Sequence, residues 1–222
     1  MSRPGVTRIS GVTSITGVAS APGGPDSPGR PRAFTTARLT LRPIERADVP
    51  AVSRLWTDPD VRRHLGGPVA DDVVRERERA CVGAPGALSV VRTRDSVVLG
   101  LVSVEPGARQ GRTEVSYQLL PEHWGHGYAR EAVGAVVGRL MAPPEGAEVP
   151  GIVAVTQEAN SRSRRLLEAL GARVEERFVE WDERQVLYAF AALIPGAGPA
   201  TGGGSAGNPE GPHGNPEGPQ GG

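Results

Sequence analysis

Three groups of residues have the types and spacing to do chemistry. The first is "HWGHGYAREA", residues 123–132, in which Gly125 and Gly127 flank His126 and the chain then runs through Ala129 into helical residues 130–140. Two glycines let the chain bend so that several N–H groups and the positive end of the helix converge on one point, a geometry suited to a pyrophosphate. The same glycines also suit a bare turn between a strand and a helix. The second is "NSRSRRLLEALGA", residues 160–172, with Asn160 at a helix start and Ser163 one turn in, a pattern that simple capping by Asn160 also explains. The third is Glu114 in "RTEVSYQ", a carboxylate in a strand upstream of the glycine turn, where a lone glutamate ordinarily faces solvent. Two nucleotide motifs do not fit the glycine turn. A dinucleotide fingerprint needs a third glycine where Arg130 stands, and a Walker loop needs a lysine, of which the chain has none. His123 and His126 titrate in the right range for bases but border the turn and read as surface-loop residues.

The elements that must carry these residues alternate along the middle of the chain. "RLTLRPI" reads as a strand, followed by a helix that Asp48 caps with Pro50 in its first turn. "DDVVRERERAC" is a helix with acids first and arginines later, its charge run a solvated face. "ALSVVRT" and "SVVLGLVSV" flank Arg94 and Asp95 as a hairpin, and "TEVSYQLL" is another strand. After the glycine turn a helix runs through Met141, then come a Pro-rich break, the buried strand "GIVAV" and a helix closed by Gly171. A last hairpin joins "ARVEERFVEW" and "QVLYAFAAL" around "DER". The order is βααββββαβαββ, a mixed sheet with helices packed on it.

Both ends differ from this middle. "GVTRIS", "GVTSIT" and "GVAS" lead into Pro and Gly punctuation, and "GNPEGPH" and "GNPEGPQ" repeat near the C-terminus. Such segments bury too little apolar surface to offset ordering entropy, so residues 1–33 and 195–222 are expected to be flexible tails around one domain, residues 34–194. Lys plus Arg and Asp plus Glu both number 25, and this balance argues against nucleic acid or an anionic membrane as partner. The absence of lysine excludes Schiff-base chemistry. The single cysteine, Cys81, forms no internal disulfide and is expected in the core, in keeping with a reducing cytoplasm. No apolar run is long enough to span a bilayer, and residues 1–30 lack a signal peptide's hydrophobic region.

Taken together, "TARLTLRPIERADVPAVSRLWTDPDV", "TEVSYQLLPEHWGHGYAREA" and "NSRSRRLLEALGA" resemble the opening strand and helix, the acetyl-CoA motif and the Asn-containing motif of the GNAT superfamily of N-acetyltransferases. The likeness is greatest to the Rim-type branch, which acetylates ribosomal-protein N-termini, and covers residues 36–192. It implies an α/β fold with a central twisted mixed sheet of about seven strands and helices on both faces. The resemblance further implies that the turn Gly125–Ala129, including His126 and Tyr128, lays its amides around the CoA pyrophosphate. The strand Tyr117–Leu120 would splay from its neighbour and pair with the pantetheine arm through Leu119 and Leu120, with Asn160 beside the cofactor. Trp124 stands where the superfamily usually has Gln or Arg, which shifts phosphate contact to the backbone. Leu167 stands where many members have a proton-donating tyrosine, leaving Ser163 as the nearest hydroxyl, and Ala172 replaces a packing aromatic.

The implied chemistry is direct acetyl transfer from acetyl-CoA to a primary amine, of a small molecule or a peptide N-terminus, with no metal. Glu114 is the candidate base, Ser163 the candidate donor to the thiolate, and amides near Leu119 polarise the thioester carbonyl. The acceptor is chosen in this family by the first inter-helix segment, here residues 57–86, and by the last hairpin near Trp181–Gln185. The expected protein is a cytoplasmic monomer or homodimer. The alternative is an acyl-CoA-binding sensor or scaffold on the same fold, without turnover.

Overall fold

Alternating apolar residues set the first pairings. A computed structural model describes residues 33–142 and 151–191; the expected tails, the Pro-rich break and residues 192–194 fall outside them, apart from Ala33. Phe34–Thr35 (β1) and Leu39–Pro43 (β2) pair antiparallel, and in β2 Leu39 and Leu41 are buried. A 3-10 turn, Arg46–Asp48, leads into α1, Val49–Thr57, whose Val52, Leu55 and Trp56 recur at helical spacing and are buried. Asp48 does not cap α1 as expected. Its carboxylate instead accepts from Arg42 Nη1 at 2.6 Å, the Glu45 N–H at 2.9 Å and Ser89 Oγ at 2.7 Å, tying β2 to the next strand. Burial pushes the Asp48 carboxyl up, but Arg42, Glu45 and Ser89 together hold it below the usual carboxylate value.

Between α1 and the next long helix lies an element the sequence reading lacked, α2, Pro59–Arg62, capped by Asp58 with its Oδ1 on the N–H groups of Asp60 and Val61. Helix α3, Asp71–Ala80, follows, and the expectation of a solvated charge run fails at one position, Arg77, which is buried along with the apolar Val74. Cys81, just after α3, is fully buried as expected.

Strands β3, Ala87–Arg92, and β4, Val97–Arg109, form the expected hairpin around Arg94 and Asp95, and β5, Arg112–Leu119, adds to β4. The three strands are the three runs read from the sequence, one fewer than the summary order held, and β4 extends past "SVVLGLVSV" through Pro106 and Gly107 with a register shift between Glu105 and Arg109. At the other end of this pair, a Cβ on Gly100 would stand 2.1 Å from the Gln118 carbonyl oxygen, so only glycine permits this approach of β4 to β5.

Helix α4, Tyr128–Leu140, crosses over to β6, Ile152–Gln157, which is parallel to β5. Then come α5, Ser161–Ala169, and the hairpin of β7, Arg173–Glu180, and β8, Glu183–Phe190. Its turn is Trp181–Asp182, both with positive φ, one residue earlier than "DER". The sheet has eight strands in the order β1-β2-β3-β4-β5-β6-β8-β7, antiparallel except at β5–β6.

Two cores sandwich this sheet. Tyr128, Ala132, Val133 and Val136 of α4 and Leu167 of α5 pack on Leu41, Val102, Val115 and Leu119. Val52, Leu55 and Trp56 of α1 and Val74 of α3 pack on Ala87, Leu101 and Leu120. The neighbours Leu101 and Val102, and Leu119 and Leu120, fall in opposite cores, as alternation along a strand requires. Helices therefore cover both faces.

Candidate active site

The site begins where β5 and β6 part. These strands pair only at Thr113 with Ile152 and Glu114 with Val153, after which β6 continues against β8 and the rest of β5 keeps only β4. Leu120 donates its N–H to the Leu99 carbonyl of β4 at 2.9 Å, so by antiparallel alternation the N–H of Leu119 faces the gap. The Leu119 carbonyl accepts Trp124 Nε1 at 2.8 Å. The Leu120 N–H is thus taken within the sheet, its carbonyl accepts the His123 N–H at 3.0 Å, and its side chain belongs to the α1/α3 core. Of the two expected positions, Leu119 is the one whose N–H faces the gap.

The glycine turn closes one end of the gap. Gly125 and Gly127 have φ of 79° and 77°, and a Cβ at Gly125 would meet nothing within 4 Å. Gly127 is the N-cap of α4 without any side-chain cap, so the first-turn amides of Tyr128, Ala129 and Arg130 face outward beside the two glycines. Arg38, just before β2, braces the turn: Nη1 donates to the His126 carbonyl at 3.0 Å, Nε to Glu131 Oε2 at 2.7 Å, and the guanidinium lies 4.6 Å from the Tyr128 ring centroid. His126 is exposed and bonds through Nδ1 to the Trp124 carbonyl, 2.8 Å away. His123 is half-buried in a 3-10 turn, and burial pulls its pKa down. Arg162 of α5 lies 4.1 Å from the Trp124 ring centroid, linking the turn to the second motif.

In that motif Asn160 is a helix cap: Oδ1 accepts the Ser163 N–H at 3.1 Å. Ser163 Oγ lies 2.8 Å from the hydroxyl of Tyr117 on β5. Burial pushes the Tyr117 phenol up to about 12, so it stays protonated at neutral pH. Leu167, at the position of the missing tyrosine, is sealed in the core.

Glu114 occupies the last rung before the strands part, opposite Glu105 on β4. Burial pushes its carboxyl up; Arg109, with Nε 3.5 Å from Oε2, pulls it down, and the Glu105 and Glu180 charges push it up again. Alternation puts Tyr117 with Leu119 on the α4/α5 face and Glu114 with Leu120 on the α1/α3 face. Glu114 and the Tyr117–Ser163 pair thus sit on opposite sides of β5 with the gap between them.

Sequence reasoning missed Tyr117, Arg38 and Glu131. Tyr117 had a signal, its i, i+2 spacing from Leu119. Arg38 and Glu131 lie 93 positions apart and had none.

Residues 38–173 match the acetyltransferase (GNAT) domain family. The chain is similar to p20 of Bacillus licheniformis, described as an uncharacterized N-acetyltransferase, with 27% identity over 170 residues that cover 71% of this chain and 94% of p20. Its fold is similar to that of the Vibrio cholerae spermidine N-acetyltransferase, solved in complex with CoA and spermine, at a TM-score of 0.60 and 19% identity over 71% of this chain and 97% of that one. It is similar also to that of the Vibrio fischeri ribosomal-protein-S5-alanine acetyltransferase, with TM-score 0.57, 17% identity and coverage of 74% and 98%. No helix among the described residues is long and apolar enough to cross a membrane.

Proposed function

The chain belongs to the GNAT acetyltransferase family, and from that premise we propose that it transfers an acetyl group from acetyl-CoA to a primary amine, with direct attack in a ternary complex. The observation that carries this reading is the parting of β5 and β6 immediately after Glu114, with an uncapped helix N-terminus at the far end of the opening. The pyrophosphate lies over the turn Gly125–Ala129, where open space and outward amides meet the demands of an anion, with Trp124, His126 and Tyr128 shaping that turn. The pantetheine arm runs along the free edge of β5 and takes the Leu119 N–H. Asn160 contributes by holding the start of α5 beside it.

The amine reaches the thioester from the α1/α3 face, where Glu114 stands. An ammonium cannot attack, so Glu114 removes a proton directly or through one water, and burial makes it a stronger base than an exposed carboxylate. The amine nitrogen then bonds to the carbonyl carbon as the C–S bond breaks. The thiolate leaves on the α4/α5 side and takes a proton from Ser163, whose hydroxyl Tyr117 holds in place and which regains a proton, through water, from the nitrogen that the new bond leaves positively charged. The named activities of the fold neighbours supply two acceptor classes to try, a polyamine and a peptide N-terminus.

The test is release of free thiol from acetyl-CoA by the full chain, with and without a panel of both classes, and a mass gain of one acetyl group on the acceptor. Amine-dependent release with that mass gain is expected. Tight acetyl-CoA binding with no release from any amine would replace this reading with the sensor.

A further inference from the structure

On the α1/α3 face, away from the gap, four nitrogen atoms of one cluster are buried with no hydrogen-bond partner among the described residues: Trp56 Nε1, Arg62 Nη1, and Arg77 Nε and Nη1. They come from three consecutive helices, α1, α2 and α3. The Arg77 guanidinium lies 5.8 Å from the Trp56 ring centroid, and its charge reaches Arg62. Relative exposures of 0%, 1% and 5% for Trp56, Arg62 and Arg77 take them out of contact with bulk solvent. Arg62 uses Nε on the Gly67 carbonyl at 2.8 Å and Nη2 on the Leu65 carbonyl, while the Arg77 side chain makes no hydrogen bond among the described residues. Neither arginine forms an ion pair there; the carboxylate whose charge acts on Arg77 is Glu76, exposed on α3. Burial and the neighbouring charge pull Arg62 down to about 10.

Two buried like charges beside an indole donor, all short of acceptors, are an unusual cost for a fold to carry. We propose that Trp56, Arg62 and Arg77 form an oxyanion site that takes a carboxylate or phosphate group. The three guanidinium nitrogens and the indole nitrogen are donors only, so the group that satisfies them is an acceptor, and the paired positive charge makes it an anion. The cluster is buried, so the group is small or is the end of a larger molecule. The segment between α2 and α3 also touches the gap: His64 Nδ1 lies 3.1 Å from Gln157 Oε1 at the end of β6. The site therefore shares a wall with the face from which an amine would approach, and an amine that also carries an acidic group fits both.

Calorimetry on the full chain with sodium phosphate, sodium acetate, glycine and glycinamide at constant ionic strength tests this, with thermal midpoints measured alongside. Phosphate or acetate is expected to bind and raise the midpoint more than chloride does. Arg77→Met should weaken that binding at least tenfold, whereas Arg94→Met, on the exposed β3–β4 turn, should leave it unchanged. Without added oxyanion, Arg77→Met should keep or raise the midpoint, since it removes a charge that has no partner. Glycine binding tighter than acetate, with glycinamide not binding, identifies the source as an amine-bearing molecule; equal binding of glycine and acetate identifies a free anion. No effect of either oxyanion beyond chloride, unchanged affinity in Arg77→Met, or a lower midpoint of that variant in oxyanion-free buffer overturns the site. These measurements need no acetyl transfer, so their failure leaves the proposed function untouched.

Discussion

The two faces of the sheet satisfy their polar groups in opposite ways. On the α4/α5 face the polar side chains are spent on one another: Arg38 on Glu131, Tyr117 on Ser163, Asn160 on the Ser163 amide. What stays open there is backbone, the glycine turn and the amides of the first turn of α4. On the α1/α3 face, beside the paired Arg42, Asp48 and Ser89, the atoms Trp56 Nε1, Arg62 Nη1 and Arg77 Nε and Nη1 lack partners among the described residues, and Glu114 is shielded beside Arg109. A grip made of backbone is rigid and indifferent to pH. A surface made of half-compensated charges in low dielectric acts through protonation and counter-charge. Damage to the backbone grip should therefore appear as lost cofactor affinity, and damage to the α1/α3 face as lost turnover.

The largest effect is expected at Glu114. Glu114→Gln should lower turnover about a hundred- to ten-thousand-fold while leaving acetyl-CoA affinity unchanged, which steady-state kinetics beside calorimetry will check. Because burial holds the Glu114 carboxyl above its ordinary 4.5, the wild-type rate should climb as pH rises through that raised value. The variant should lack this limb and recover part of its rate at alkaline pH, where more of the amine is already neutral. The same raised value means that the charged carboxylate costs stability at neutral pH, so Glu114→Gln should not lower the thermal midpoint there. A variant that loses cofactor affinity along with turnover would break the division between the faces.

Next in size is Gly127→Val. A β-branched residue at φ of 77° carries about 1–3 kcal/mol of backbone strain, enough to weaken acetyl-CoA about tenfold or more. Turnover at saturating acetyl-CoA should stay closer to wild type, and unchanged affinity in a folded variant would reduce the glycines to a bare turn. Smallest is Ser163→Ala, with a loss of about tenfold or less and no alkaline rescue, since the Tyr117 hydroxyl remains nearby. A loss matching that of Glu114→Gln would make Ser163 the principal acid–base group.

What the sequence disclosed follows the same division. The glycine turn, the helix behind it and the Asn160 cap lie in contiguous stretches whose local rules are legible, the alternation of Leu39 and Leu41 in "RLTLRPI" marked a strand whose two leucines are buried, and "TEVSYQLL" was legible as a strand. The brace on the turn was not legible, because Arg38 and Glu131 meet only when β2 and α4 share a face. Asp48 looked like a helix cap from its neighbours alone; the arginine of β2 and the serine of β3 that claim its carboxylate are tertiary partners. Arg77 sits in a run of charges that local reasoning sends to solvent, and the packing of α3 against Trp56 overrides it.

The central claim, that the free edge of β5 and the glycine turn receive acetyl-CoA, is tested most directly by amide hydrogen exchange, residue by residue, on the full chain with and without acetyl-CoA. The account predicts new protection at Leu119, Tyr128, Ala129 and Arg130, and none along α3, Asp71–Ala80. Saturating acetyl-CoA that leaves those four amides exchanging as before, or that protects α3 instead, would contradict it.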